Sequence, residues 1–170
     1  QLLGFIAAVR LVPWSEGVVL PHEHTFAKPK QDRLQLMRAT AAQLSPVYGF
    51  YSDPTLSVEE AWRPRLAVEP QIAVRDDHGN LHEMWVIQDV EEIKVAQATL
   101  AETRVFIADG HHRYETALIY QKERSSQGTD PHAPWNNVMM MLVNIDAGGL
   151  TILPTHRVLF GIPPIDIAGW

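Results

Sequence analysis

One segment limits the fold of this chain more than any other: Arg104-Val105-Phe106-Ile107-Ala108-Asp109-Gly110-His111-His112-Arg113-Tyr114-Glu115-Thr116-Ala117. A short apolar run meets an Asp-Gly pair, and beyond it Tyr114, Ala117, Leu118 and Gln121 follow down one side of a helix. The segment reads as a strand, a glycine turn and a helix whose first turn is crowded with polar side chains. Helix N-termini leave backbone amides unpaired and carry partial positive charge, so such a unit binds anions, phosphate above all. Gly110 lets the backbone approach a ligand closely. His111, His112 and Arg113 add donors where an anion sits, and cations there oppose the helix dipole, which argues for a ligand more than for stability. The plainer reading makes Asp109 an N-cap and the His-His-Arg run a solvated first turn.

The rest of the chain mixes both periods. Leu2 to Val12 and Gly17 to Leu20 are β-like, and Leu34, Met37, Ala41 and Leu44 predict an amphipathic helix over 30–44. Ser57 with Glu60 reads as a capping box, for a short helix that Pro64 ends. Ile72, Val74 and Met84 to Ile87 flank Asp76-Asp77-His78-Gly79-Asn80 as a hairpin. Asp89 and Glu92 start a helix carrying Ile93, Ala96 and Leu100, and Val138 to Ile145 is a buried strand. Gly148-Gly149 leads into Leu150-Thr151-Ile152-Leu153. Without regular strand–helix alternation, the fold class is α+β, a mixed α/β domain.

Composition narrows the function classes. Of 170 residues, 14 are Lys or Arg and 20 Asp or Glu, a net charge of −6 that disfavours a nucleic-acid partner. With no Cys, thiol nucleophiles and thiolate metal sites are excluded. No apolar run reaches the ~18 residues of a membrane span, so no membrane partner and a cytoplasmic location are expected. The abrupt ends, Gln1-Leu2-Leu3 and Ile167-Ala168-Gly169-Trp170, read as cut from a longer chain, whose remaining regions are then expected partners.

The Asp109-Gly110-His111-His112-Arg113 turn after a strand resembles the phosphate-binding turn of the ParB/sulfiredoxin-like superfamily. More narrowly, the chain resembles the bacterial and archaeal family catalogued as domain of unknown function 1015. The matching stretches are Leu20-Pro21-His22-Glu23-His24-Thr25, Lys28-Pro29-Lys30, Asp32-Arg33, Arg38-Ala39-Thr40, Ser45-Pro46, Tyr51-Ser52-Asp53, Ile107 to Leu118 and Leu153-Pro154-Thr155-His156-Arg157. The resemblance implies an N-terminal α/β segment over 1–65 and a ParB/sulfiredoxin-like domain over 66–170, packed as one unit. Sulfiredoxins carry their nucleophilic Cys where this chain has His111, so sulfinic-acid reduction is out. The free-serine kinases match the turn residue for residue, which implies a bound nucleotide and a small hydroxylated acceptor.

Phosphoryl transfer needs cations on the phosphates, a bridging metal and a carboxylate for the acceptor hydroxyl. Gly110, His111, His112 and Arg113 are the expected nucleotide and phosphate contacts, joined by His156 and Arg157 after Pro154. Asp109 is the candidate Mg2+ ligand or base, and Glu23 the second catalytic carboxylate. The implied cofactors are Mg2+ and ATP or ADP. His22 and His24, with His111, His112 or His156, form a weaker metal candidate, and no structural zinc is expected. Lys28, Lys30, Arg33 and Arg38 read first as a solvated helix face. The competing function is a nucleotide- or phosphometabolite-binding regulatory module without turnover, and a purely structural role ranks third.

Overall fold

The computed structural model describes residues 1–126, 128, 130–151, 153, 158, 160 and 161. Its centre is a five-stranded mixed sheet. The strands are β1 (Phe5–Arg10), β2 (Val19–Leu20), β3 (Val47–Tyr51), β6 (Val105–Asp109) and β7 (Asn137–Asn144), in the order β1-β7-β3-β6-β2. β4 (Ile72–Arg75) and β5 (Leu81–Met84) form the separate hairpin that the Gly79 turn predicts. The pairs β3–β7 and β2–β6 are parallel, while β1–β7 and β3–β6 are antiparallel. Strands from both sides of residue 65 therefore share one sheet. With the four α-helices of the described residues beside it, the architecture is α+β.

Period-two burial explains the sheet. Val47 and Tyr51 in β3, and Val138, Met140 and Leu142 in β7, are all at most 2% exposed, and as far as Leu142 they alternate with partly exposed neighbours. They join Leu11, Val19, Val105, Ile107, Tyr114 and Ala117 in the main core. Gly49 lies where a side chain has no room: an added Cβ would stand 2.8 Å from Val105 Cγ1.

The helices depart from expectation in instructive ways. α1 (Ala27–Thr40) starts three residues early and stops four short of Leu44. Ala41 turns left-handed there, at φ 49°, and its amide bonds the Met37 carbonyl. α2 (Ser57–Leu66) contains Pro64 instead of ending before it. Its start is not capped by Ser57 and Glu60. Asp53, further upstream, accepts from the Ser57 amide (2.8 Å) and from the Thr55 amide (3.0 Å), and its pKa is lowered, mostly by the Thr55 hydroxyl. α3 (Val90–Glu102) is capped as expected: Asp89 accepts from the amides of Glu91 and Glu92. β3 answers to no strand expectation at all, and it occupies the middle of the sheet.

Two further features position the turn. Tyr48 pairs with Asp109 while Gly49 pairs with Ile107, so Ala108 is an extra residue, a bulge just before Asp109. Bulges re-aim the side chains beside them. α4 (His111–Ser125) packs along α1, and the acids of one meet the bases of the other: Lys30 with Glu115 at 2.7 Å, Arg38 with Glu123 at 2.5 Å.

Candidate functional site

The anticipated strand–turn–helix is present, with Gly110 as its hinge. Its φ of +96° is left-handed, and an added Cβ would lie 2.7 Å from Arg113 Nε and 2.8 Å from Nη2. Glycine is needed twice over, for the backbone and for the guanidinium folded across it. Gly110, not Asp109, occupies the N-cap, and no side chain caps the helix. The first amide to find a carbonyl is that of Tyr114, bonded to Gly110 O at 3.0 Å, so the amides of 111–113 have no helical partner.

Asp109 is free of capping work and takes another partner. Its carboxylate accepts from Arg113 Nη2 at 2.6 Å, while Arg113 Nη1 donates to Ser45 Oγ at 2.8 Å. The Asp109 side chain is 77% exposed. Arg113 Nε is buried without a partner. A cleft of about 70 Å3 opens beside this guanidinium, lined among others by Arg33, Ser45, Arg113 and Thr116. Thr116 Oγ1 is likewise buried and unpaired.

The two histidines do something that the sequence does not suggest. Each uses Nε2 to accept a backbone amide from the 20–26 segment, His111 from His22 (3.2 Å) and His112 from Phe26 (3.1 Å). Each neutral ring then carries its proton on Nδ1. Thr25 and Lys30 both donate to Glu115 Oε2, at 2.5 and 2.7 Å. Burial raises the Glu115 pKa, but the Lys30 and Thr25 bonds outweigh it and hold the carboxyl below its ordinary value. Four contacts thus fasten 22–30 across the start of α4.

That fastening delivers Glu23. Its Oε1 stands 3.1 Å from Nδ1 of His111, a residue only 1% exposed, while the Glu23 side chain is 52% exposed. Burial pushes the His111 pKa down; Glu23 and Asp109 both pull it back, so both carboxylates act on this one ring. His22 donates from Nδ1 to the Ile107 carbonyl at 2.7 Å, leaving Nε2 as a bare lone pair. Among the described residues, His22, Glu23 and His111 offer ligand atoms within 4.8 Å of one another. His24 is exposed and stays outside this cluster, so the His22–His24 pair does not form a joint metal site with His111.

Other candidates fall elsewhere. His156 and Arg157 lie outside the described residues. Lys30 and Arg38 are committed to the ion pairs with α4, whereas Arg33 faces the cleft beside Arg113. The sequence assigns no role to Ser45, Thr25 and Glu115, whose partners lie tens of residues away, and it offers His22 as a metal candidate beside His24, not beside Glu23. Thr25, Ser45 and Glu115 do fall within the matched stretches, which is the one hint the sequence holds. A wider cavity of about 590 Å3 lies apart from the turn, lined by apolar groups such as Ala7, Met37 and Met139. Its Arg124 stacks over Trp135, 5.1 Å from the ring centre.

No helix among the described residues is long and apolar enough to cross a membrane. No curated protein and no solved structure gives a significant match. Over residues 1–168, however, the sequence matches the family described as "Protein of unknown function (DUF1015)", and the chain belongs to that family.

Proposed function

We propose that the chain transfers a phosphoryl group from a nucleotide, ATP or ADP, to the hydroxyl of a small metabolite in the cytoplasm. The observation that carries this reading is the delivery of Glu23 to the anion-ready turn, 3.1 Å from His111. A binder of phosphates needs the cations alone; a transferase also needs a carboxylate base for the acceptor hydroxyl.

In this reading the free amides of 111–113, Arg113 and the Nδ1–H of His112 hold the phosphates. His156 and Arg157, outside the described residues, are the further phosphate contacts that the sequence suggests. Asp109 would hold Mg2+, which when bound would neutralise charge on the phosphates. The acceptor oxygen attacks the terminal phosphorus, the bond to the nucleotide's bridging oxygen breaks, and Glu23 takes the hydroxyl proton. The resemblance of the turn to that of free-serine kinases supports the same choice.

A second reading, a nucleotide- or phosphometabolite-binding regulatory module, is favoured by one contact. The Asp109 carboxylate is engaged by Arg113 and must leave it to serve a metal. Thermal-shift screening against nucleotides and phosphometabolites, with and without Mg2+, tests the shared premise. A true ligand at 100 times its Kd adds about 2.7 kcal/mol of stability. A flat response to every nucleotide and phosphometabolite contradicts both readings.

A further inference from the structure

We infer that His22, Glu23 and His111 form a binding site for a divalent ion of borderline softness, such as Zn2+ or Co2+, distinct from the Mg2+ that accompanies a nucleotide. The inference does not need the phosphoryl-transfer reading, because the three side chains bind an ion or fail to do so whatever the turn holds.

The first ground is an imidazole nitrogen out of place. His111 is 1% exposed, and its Nδ1 is buried with no hydrogen-bond partner, although Glu23 Oε1 is 3.1 Å away. The distance suits a hydrogen bond; the direction does not. Two ligands each about 2.0–2.1 Å from one ion, at octahedral to tetrahedral angles, lie about 2.9–3.4 Å apart without pointing at each other. The His111–Glu23 separation matches that edge of a coordination shell.

The second ground is His22. Its Nδ1–H donates to the Ile107 carbonyl at 2.7 Å, and Ile107 belongs to β6, the strand that leads into the turn. A backbone acceptor on one ring nitrogen is the usual way a ligating histidine is fixed and its other nitrogen kept basic. The rings of His22 and His111 meet edge to face, 4.5 Å between centres.

Two imidazoles and one carboxylate select the metal class. Imidazole suits zinc-like ions, whereas Mg2+ prefers oxygen alone. Three protein ligands leave a position open, unlike the closed four-ligand site that the lack of Cys argues against. Loading has a stated structural consequence. The ion replaces the proton on His111 Nδ1, that proton passes to Nε2, and the 3.2 Å bond from the His22 amide is given up.

The test is a titration of the untagged chain with Co2+, read by its visible absorption, alongside calorimetry with Zn2+. One equivalent binding in the micromolar range or tighter is expected, undisturbed by millimolar Mg2+. Glu23→Gln and His22→Ala change exposed residues, and each is expected to weaken binding at least about tenfold. His82→Ala, in a second His–carboxylate pair of the described residues (His82–Asp76, 3.0 Å), is expected to change nothing. Absence of saturable binding, binding unaffected by Glu23→Gln or His22→Ala, loss of binding in His82→Ala, or displacement by Mg2+ would each overturn the assignment.

Discussion

Arg113 reaches back over Gly110 to the carboxylate of Asp109, at 2.6 Å, and closes the turn on itself. The pair stores a cation where an anion would sit and keeps it neutralised until a ligand competes. Arg113→Ala is therefore expected to weaken nucleotide binding by about 1.5–3 kcal/mol, the worth of a charge-assisted bond. Folding should change little, since the lost contacts are to Asp109 and Ser45 near the surface. Calorimetric titration of parent and variant decides the point, and equal affinities contradict the site.

Gly110→Ala tests the hinge. The new methyl must adopt φ +96° and displace the Arg113 guanidinium at the same time. A stability loss of about 1–3 kcal/mol in urea unfolding is expected. Gly17→Ala is the control: its φ of +66° is also left-handed, but nothing lies near the added Cβ. The Gly17 variant should lose less; equal losses would mean that Arg113 does not press on the turn.

Acid should loosen the junction between the 20–26 segment and α4. Burial lowers the His111 pKa below its ordinary 6.5, so the unfolded chain takes up that proton before the folded one does. Stability from this group is complete above 6.5 and is lost as pH falls through the folded value. Glu115, also lowered, adds a second loss in the same direction below its ordinary 4.5. The urea midpoint should drop between about pH 7.5 and 5.5, and His111→Gln should flatten that drop. A parent midpoint that does not fall over this range contradicts the burial argument.

The strand–turn–helix and the capped α3 were legible because their signals are local: an apolar run, an Asp-Gly pair, an Asp in front of a helical period. β3 was not, because Val47-Tyr48-Gly49-Phe50-Tyr51 carries a glycine in its middle. Only the packing against Val105 explains that glycine. Ser57 and Glu60 imitate a capping box, yet Asp53 outcompetes them through a loop that no short motif describes. Glu23 was named from its neighbours in sequence; what positions it beside His111 is the tertiary fastening of 22–30 to α4. The histidines themselves were read as donors to phosphate, whereas both spend Nε2 on backbone amides. Pattern reveals residue type and face, and long-range pairing decides which nitrogen is left for a ligand.

The most direct test of the account pairs nucleotide affinity with phosphate transfer, on the parent chain and on Asp109→Asn. Terminally labelled ATP and ADP are offered with small hydroxylated metabolites, free serine among them, in the presence of Mg2+. The parent is expected to transfer label to a hydroxyl. Asp109→Asn is expected to fold and keep much of its nucleotide affinity, while its transfer rate falls at least about 10²-fold. Transfer by Asp109→Asn at the parent rate, or a parent that binds nucleotide and transfers nothing, would contradict it.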